Sequence, residues 1–258
     1  MTPDQALARL RAANVPEPGW HLRKLEAAGG DLAAMVERVC EGEPVHRVSG
    51  TREFHGLELR IAPDTLEPRD DTEALVQLAV DHAPRGSAHF ADLGTGTGAV
   101  GCAILSELPH ATALLTDLDI VGPLDTAKAN AEALGLRKRA RFMRSDWLLG
   151  LGEAPLFDFI VSNPPYIPSA IVDTLDPAVR LYDPRLALDG GLDGLDAYRA
   201  ILRDAARHLK PGGFLALEIG YDQLAAVARL AERTGWQVDE TRRDLGGRDR
   251  AVLLRPAG

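Results

Sequence analysis

Little in this chain could staple it or anchor it from outside. Two cysteines, Cys40 and Cys102, make no disulfide framework, so a free-thiol protein of the cytoplasm, held by its core, is expected. No apolar run approaches the ~20 residues needed to span a bilayer. The first residues, Met1-Thr2-Pro3-Asp4-Gln5, show no basic-then-apolar leader, so no membrane partner is expected. Positive charge is also short. Lys and Arg number 29 against 38 Asp and Glu, a net charge of -9, which argues against a protein that lives on nucleic acid through phosphate contacts. The seven histidines show no ligand spacing with each other or with cysteine, so no metal is expected. There is no internal repeat and no low-complexity segment. What remains is an ordinary composition, 45% hydrophobic, with enough apolar surface for one large domain or one domain and a small appendage.

Against that background Val161-Ser162-Asn163-Pro164-Pro165-Tyr166-Ile167-Pro168 stands out. Three prolines in five residues end whatever precedes them, because proline lacks an N–H and fixes φ. Phe157 to Val161 is an apolar run of the buried-strand kind. Asn163 therefore sits where a strand stops and the backbone stiffens. Open α/β sheets bind ligands at such strand ends, although an Asn-Pro turn with no ligand reads the same way on its own.

Residues 1–43 read as short helices. Thr2, Pro3 and Gln5 form a capping box, a second helix covers about His21 to Ala28, and Asp31 caps a third. These pieces predict a small helical lobe. Residues 44–67 read as a linker whose alternating Phe54 to Ile61 forms a hairpin turning at Gly56. From 68 to 258 strand and helix alternate. Strands are expected at His89–Leu93, Ala113–Asp117, Ala140–Met143, Phe157–Val161 and Phe214–Ile219, with a closing antiparallel pair from Trp236–Thr241 and Ala251–Leu254. A helix from about Leu195 to Leu209 is expected to end at Lys210-Pro211-Gly212-Gly213. The pattern predicts a doubly wound, mostly parallel α/β sheet.

After the first of those strands comes Asp92-Leu93-Gly94-Thr95-Gly96-Thr97-Gly98, then a helix. Glycines let backbone approach a ligand, and the helix start supplies free N–H groups. Asp117 ends the next strand, where a carboxylate can accept both ribose hydroxyls. The loop alone does not separate a nicotinamide dinucleotide from S-adenosylmethionine. Asp146-Trp147 after the third strand favours the latter: a carboxylate for an adenine amino group and an indole to stack on the ring.

These motifs, with Pro68-Arg69-Asp70-Asp71-Thr72-Glu73, Asp183 to Gly191 and Asp193 to Arg199, resemble the class I S-adenosylmethionine methyltransferases, and within them the HemK/PrmC protein-(glutamine-N5) methyltransferases. The resemblance implies a Rossmann-like, seven-stranded, mostly parallel sheet. It implies methyl transfer from S-adenosylmethionine to a glutamine side-chain amide, typically in the Gly-Gly-Gln loop of a peptide-chain release factor. Asn163, Pro164 and Tyr166 are then the catalytic residues. Pro165 and Glu73 join them in holding substrate, and Asp92, Gly94, Thr95, Gly96, Thr97, Gly98, Asp117, Asp146, Trp147 and Asn163 hold the cofactor. A monomer is expected. The alternatives are a glutamine methyltransferase of another protein, such as a ribosomal protein, and an amino-nitrogen methyltransferase of nucleic acid. Three departures stand beside the resemblance: Asp70 where the family usually has proline, an insertion at Asp119-Ile120-Val121-Gly122-Pro123, and an N-terminal lobe shorter by about a helix.

Overall fold

A computed structural model describes residues 1–118, 120–152 and 156–257. Asp119, the first residue of the insertion, lies outside them. The chain begins with α1 (Pro3–Ala12), α2 (Pro18–Ala28), α3 (Leu32–Cys40) and α4 (Val45–Ser49). Both expected caps form. Gln5 N–H donates to Thr2 Oγ1 at 3.3 Å while Thr2 N–H donates to Gln5 Oε1 at 2.9 Å, and Asp31 Oδ1 accepts from Ala33 and Ala34. Helix α4 falls within the stretch 44–67 whose sequence reads as linker. Val45 and Val48, three apart after Pro44, fall on one helical face and join the apolar cluster of α1 to α3 around Leu10, Leu25 and Val36.

A two-stranded hairpin follows, β1 (Thr51–Phe54) and β2 (Leu57–Arg60), then a 3-10 turn at Asp70–Thr72 that leads into α5 (Glu73–His82). The main sheet comprises β3 (His89–Leu93), β4 (Thr112–Asp117), β5 (Ala140–Arg144), β6 (Phe157–Ser162), β7 (Leu209–Glu218), β8 (Trp236–Arg243) and β9 (Asp249–Pro256). Helices α6 (Ala99–Glu107), α7 (Asp125–Ala133), α8 (Ser169–Val172), α9 (Pro177–Arg180), α10 (Asp196–Ala205) and α11 (Leu224–Arg233) connect them. The spatial order is β5-β4-β3-β6-β7-β9-β8. β3 to β7 run parallel, and β9 pairs antiparallel with both β7 and β8. The order reverses between β3 and β6, so the loops after these two strands open the crevice where such sheets take ligands.

Alternation builds the core on both faces. Phe90, Phe159, Phe214 and Leu253 point to the face covered by α5 and α6, whereas Ala91, Ile160, Leu215 and Leu254 meet α10 and α11. Phe90, Phe159 and Phe214 stack in a row across three strands, with ring centroids 4.8 and 5.0 Å apart. One expectation moves. β7 starts at Leu209, because Leu209 already pairs with Phe157, and the next matched pair is Phe159 with Phe214. Lys210 to Gly213 therefore bulge out of a strand instead of preceding it.

The phenylalanine row predicts that Phe159→Ala lowers folding stability by about 3–5 kcal/mol. Val238→Ala, at a 41%-exposed position, should change it by no more than about 0.5 kcal/mol. Urea denaturation of both variants checks this.

Candidate active site

A cleft of about 580 Å³ opens at the carboxyl end of the sheet. That lies within the range of about 300–1,000 Å³ usual for small-molecule sites. Asp92, Gly94, Thr95, Gly96, Thr97, Asp117, Trp147, Asn163 and Pro165 all line it. Residues about seventy apart in sequence meet there because β3 and β6 are neighbours in register, with Leu93 beside Ser162. The Ser162 hydroxyl donates to the Leu93 carbonyl at 2.7 Å and ties the two strand ends together.

The glycine loop is held from below. Asp92 is 1% exposed, and its Oδ2 accepts from the Thr95 hydroxyl at 2.5 Å and the Gly101 N–H at 3.0 Å. Burial pushes its carboxyl up to about 6, against the pull of those two donors. Asp117 Oδ2 accepts from Gly96 N–H at 2.9 Å, so the end of β4 fixes the middle of the loop. At Gly98, φ is 80° and a side chain would meet Ala127 at 3.1 Å, so α7 can pack close only against glycine. Buried Asn130 is a member of this assembly that sequence reasoning missed. Its side chain donates to the Thr97 carbonyl at 2.8 Å and exchanges bonds with the backbone of Arg60, joining loop, α7 and hairpin. A lone asparagine on the apolar side of α7 was the available signal.

Around Asn163 the geometry is specific. Asn163 Nδ2 donates to Thr72 Oγ1 at 3.2 Å. Pro164 is buried and, unlike its neighbours Asn163 and Pro165, does not line the cleft, and among the described residues no donor reaches its carbonyl. Tyr166 does not line the cleft. Its hydroxyl lies 3.3 Å from Glu218 Oε1 and receives a bond from Arg250 Nη1 at 3.3 Å, and burial pushes its pKa well up. Glu73 also stands away from the cleft, accepting the His55 N–H at 3.0 Å and so closing the hairpin turn. Asp146 is exposed and off the lining. The turn there is tight: Leu149 N–H bonds the Asp146 carbonyl at 3.0 Å and Trp147 has φ 52°, so successive side chains leave it in different directions. Thr72 and Glu218 are the other members missed. The only signal for Glu218 was a carboxylate at the end of an apolar strand run.

Two departures are also placed. Asp70 opens the 3-10 turn and pairs with Arg52 at 2.6 Å. In the insertion, Gly122 has φ 110° and a side chain there would run into the Asp64 carboxylate, which lines the cleft with Pro123.

Known proteins resemble this chain over most of its length. The Methyltransferase small domain model matches residues 70–175. A release factor glutamine methyltransferase of Agrobacterium fabrum (strain C58) is 46% identical over 229 residues, covering 87% of this chain and 78% of its own. Another, of Moorella thermoacetica, is 40% identical, covering 96% and 95%. A solved methyltransferase of Pyrococcus furiosus shares the fold with a TM-score of 0.57 at 23% identity, covering 79% of this chain and 90% of its own.

Fold and site together define a class I S-adenosylmethionine-dependent methyltransferase. The residues fit that donor: a glycine loop of close backbone approach, a carboxylate at the end of β4 and an indole on the cleft wall. The chain belongs to the release factor glutamine methyltransferase family.

Asp92 gives a test with a defined sign. Its folded carboxyl keeps a proton to a higher pH than the ordinary 3.8. Its contribution to stability is therefore fully present below about pH 4 and is lost as pH rises through about 6. Asp92→Asn should remove that segment of the stability profile, measured by urea denaturation between pH 4 and 7.

Proposed function

We propose that this enzyme methylates the side-chain amide nitrogen of a glutamine in a peptide-chain release factor, within its Gly-Gly-Gln loop. The observation that carries the reading is that Asn163 shares one cleft with Asp117 and Trp147 while its own amide nitrogen is already bonded to Thr72. That bond leaves the Asn163 carboxamide oxygen as the atom to offer to a substrate.

A primary amide is a weak nucleophile because its lone pair is delocalised into the carbonyl. It must be held with its nitrogen in line with the methyl group to be transferred. Asn163 Oδ1 accepts one N–H of the glutamine amide, and the Pro164 carbonyl accepts the other. Two fixed acceptors orient the nitrogen and favour the positive charge that develops on it. S-adenosylmethionine, when bound, supplies an electrophilic methyl on a sulfonium. Asp117 takes the ribose hydroxyls, Trp147 walls the adenine, and Asp92 keeps the loop of Gly94 to Gly98 in shape. No strong base is needed before transfer, since the nitrogen sheds its proton after alkylation. Tyr166 and Glu73 support this pocket from behind instead of lining it, and Asp146 is left out of the cofactor set. Residues 1–43, with α4 packed on them, form the lobe that helps hold the protein substrate, the β1–β2 hairpin links it to a catalytic domain of residues 68–258, and the enzyme works as a cytoplasmic monomer.

Asn163→Ala should reduce methyl incorporation into a release factor to background at saturating cofactor, with cofactor affinity within about twofold of wild type. An unpaired amide N–H alone costs roughly 1–3 kcal/mol, and loss of alignment costs about a hundredfold more. Asn163→Asp, which keeps the acceptor and the size, should retain reduced but measurable turnover. Wild-type turnover in the alanine variant would return Asn163 to the role of a turn residue.

A further inference from the structure

Glu218 ends β7 behind the cleft wall. It does not line the cleft, it is 2% exposed, and its Oε2 is a buried carboxylate oxygen without a hydrogen-bond partner among the described residues. Thr72 lies between it and the site. The Thr72 oxygen accepts from Asn163 Nδ2 at 3.2 Å, so its hydroxyl proton must point elsewhere. The Thr72 hydroxyl is among the groups that lower the proton affinity of the Glu218 carboxylate, and the unpartnered Oε2 leaves that carboxylate open to its proton.

We infer that Glu218 is a positioning residue that acts through Thr72 to fix which end of the Asn163 carboxamide faces the substrate. The inference rests on Asn163 being the acceptor of the substrate amide. An asparagine side chain has two nearly isosteric ends, one donating and one accepting. An ionised Glu218 draws the Thr72 proton, which leaves the Thr72 oxygen able only to accept from Asn163. The Asn163 NH2 then turns to Thr72 and its oxygen turns to the cleft. A protonated Glu218 can donate to Thr72, whose own proton is then free to turn toward Asn163. The carboxamide flips, and the substrate amide meets a donor where it needs an acceptor. No bond other than hydrogen bonds changes, and the single proton involved resides on Glu218.

Every charged or titratable group facing Glu218 bears on when this happens. Tyr166 lies 3.3 Å from Oε1, and Tyr198 from α10 donates to the Glu218 backbone carbonyl at 3.0 Å. Arg250 from β9 approaches through the Tyr166 hydroxyl and pairs with Asp71 and Asp244, each at 3.1 Å. Burial raises the Glu218 carboxyl to about 7, the largest influence, while Thr72, Arg250 and Tyr166 pull it down and Asp71 pushes it up. The orienting form is the ionised one, so turnover should rise with pH through that value.

The test is methyl transfer to a release factor at saturating cofactor from pH 6 to 9, with S-adenosylhomocysteine affinity measured on each variant. Thr72→Val should lower kcat by about ten- to a hundredfold with cofactor affinity within about twofold, and Thr72→Ser should recover most of the loss. Glu218→Gln should be slow and flat in pH, because a glutamine orients Thr72 either way and does not titrate. If Glu218→Gln does not fold, the valine and serine pair decides alone. Wild-type kcat in Thr72→Val, or equal loss in Thr72→Ser, would overturn the relay, as would a wild-type pH inflection that persists in a folded Glu218→Gln. An inactive Asn163→Ala beside a fully active Thr72→Val would overturn the relay and leave the pocket reading intact. Full activity in both would overturn the two together.

Discussion

A buried carboxylate is the constraint on which the site depends. Asp92 takes a hydroxyl from Thr95 and an N–H from Gly101 on a single oxygen, and so bends the chain between β3 and α6 into one shape. Burying that charge is costly, as its raised proton affinity shows. The cost is met because the loop it holds presents backbone to the cleft. Asp117 and Asn130 then lock the same loop from β4 and α7. With the loop fixed, the strand register that sets Leu93 beside Ser162 brings Asn163 to the opposite wall of the same cleft. The glycine loop and Asn163 are therefore placed by one sheet edge.

A second knot fastens the remaining parts. Asp183 is buried between Arg47 of α4 and Arg69, the residue before the 3-10 turn, and also accepts the Glu67 N–H of the linker. Arg47 Nη1 donates to the Ala62 carbonyl at 2.6 Å, and Nη2, the nitrogen paired with Asp183, also donates to the Thr65 carbonyl at 2.7 Å. Helical lobe, linker and the segment after the proline turn thus share one ion cluster. Removing either partner of such a cluster strands the other charge in a poor dielectric, which couples the lobe to the wall of the cleft that Pro184 and Leu186 line.

How much of this was legible in the sequence depended on the range of the interaction. The strands showed through runs such as Phe90 to Leu93 and Phe157 to Val161, and the parallel order followed from their alternation with helices. The caps at Thr2 and Asp31 were legible because they involve residues three apart or fewer. The sheet-edge position of the glycine loop, Asp117, Trp147 and Asn163 was legible for the same reason: each ends a strand or comes soon after one. Side-chain direction was not legible. Tyr166, catalytic and substrate-holding by the resemblance, stands off the cleft because its hydroxyl is drawn to Glu218 and Arg250, 52 and 84 residues away. Asp146 turned outward because of the left-handed backbone at Trp147, and Glu73 was taken by the hairpin. Thr72 and Glu218 carried no local mark of their meeting, which only the assembled sheet brings about.

The central claim is that this sheet edge delivers a methyl group to a glutamine amide. The most direct measurement incubates the protein with methyl-labelled S-adenosylmethionine and, in separate reactions, a release factor, ribosomal protein and RNA, then locates the label by mass spectrometry. The account predicts one added methyl on the side-chain nitrogen of the glutamine in the release factor's Gly-Gly-Gln loop, absent when that glutamine is replaced. Label on a nucleobase amine or on another protein, with none on the release factor, would contradict it.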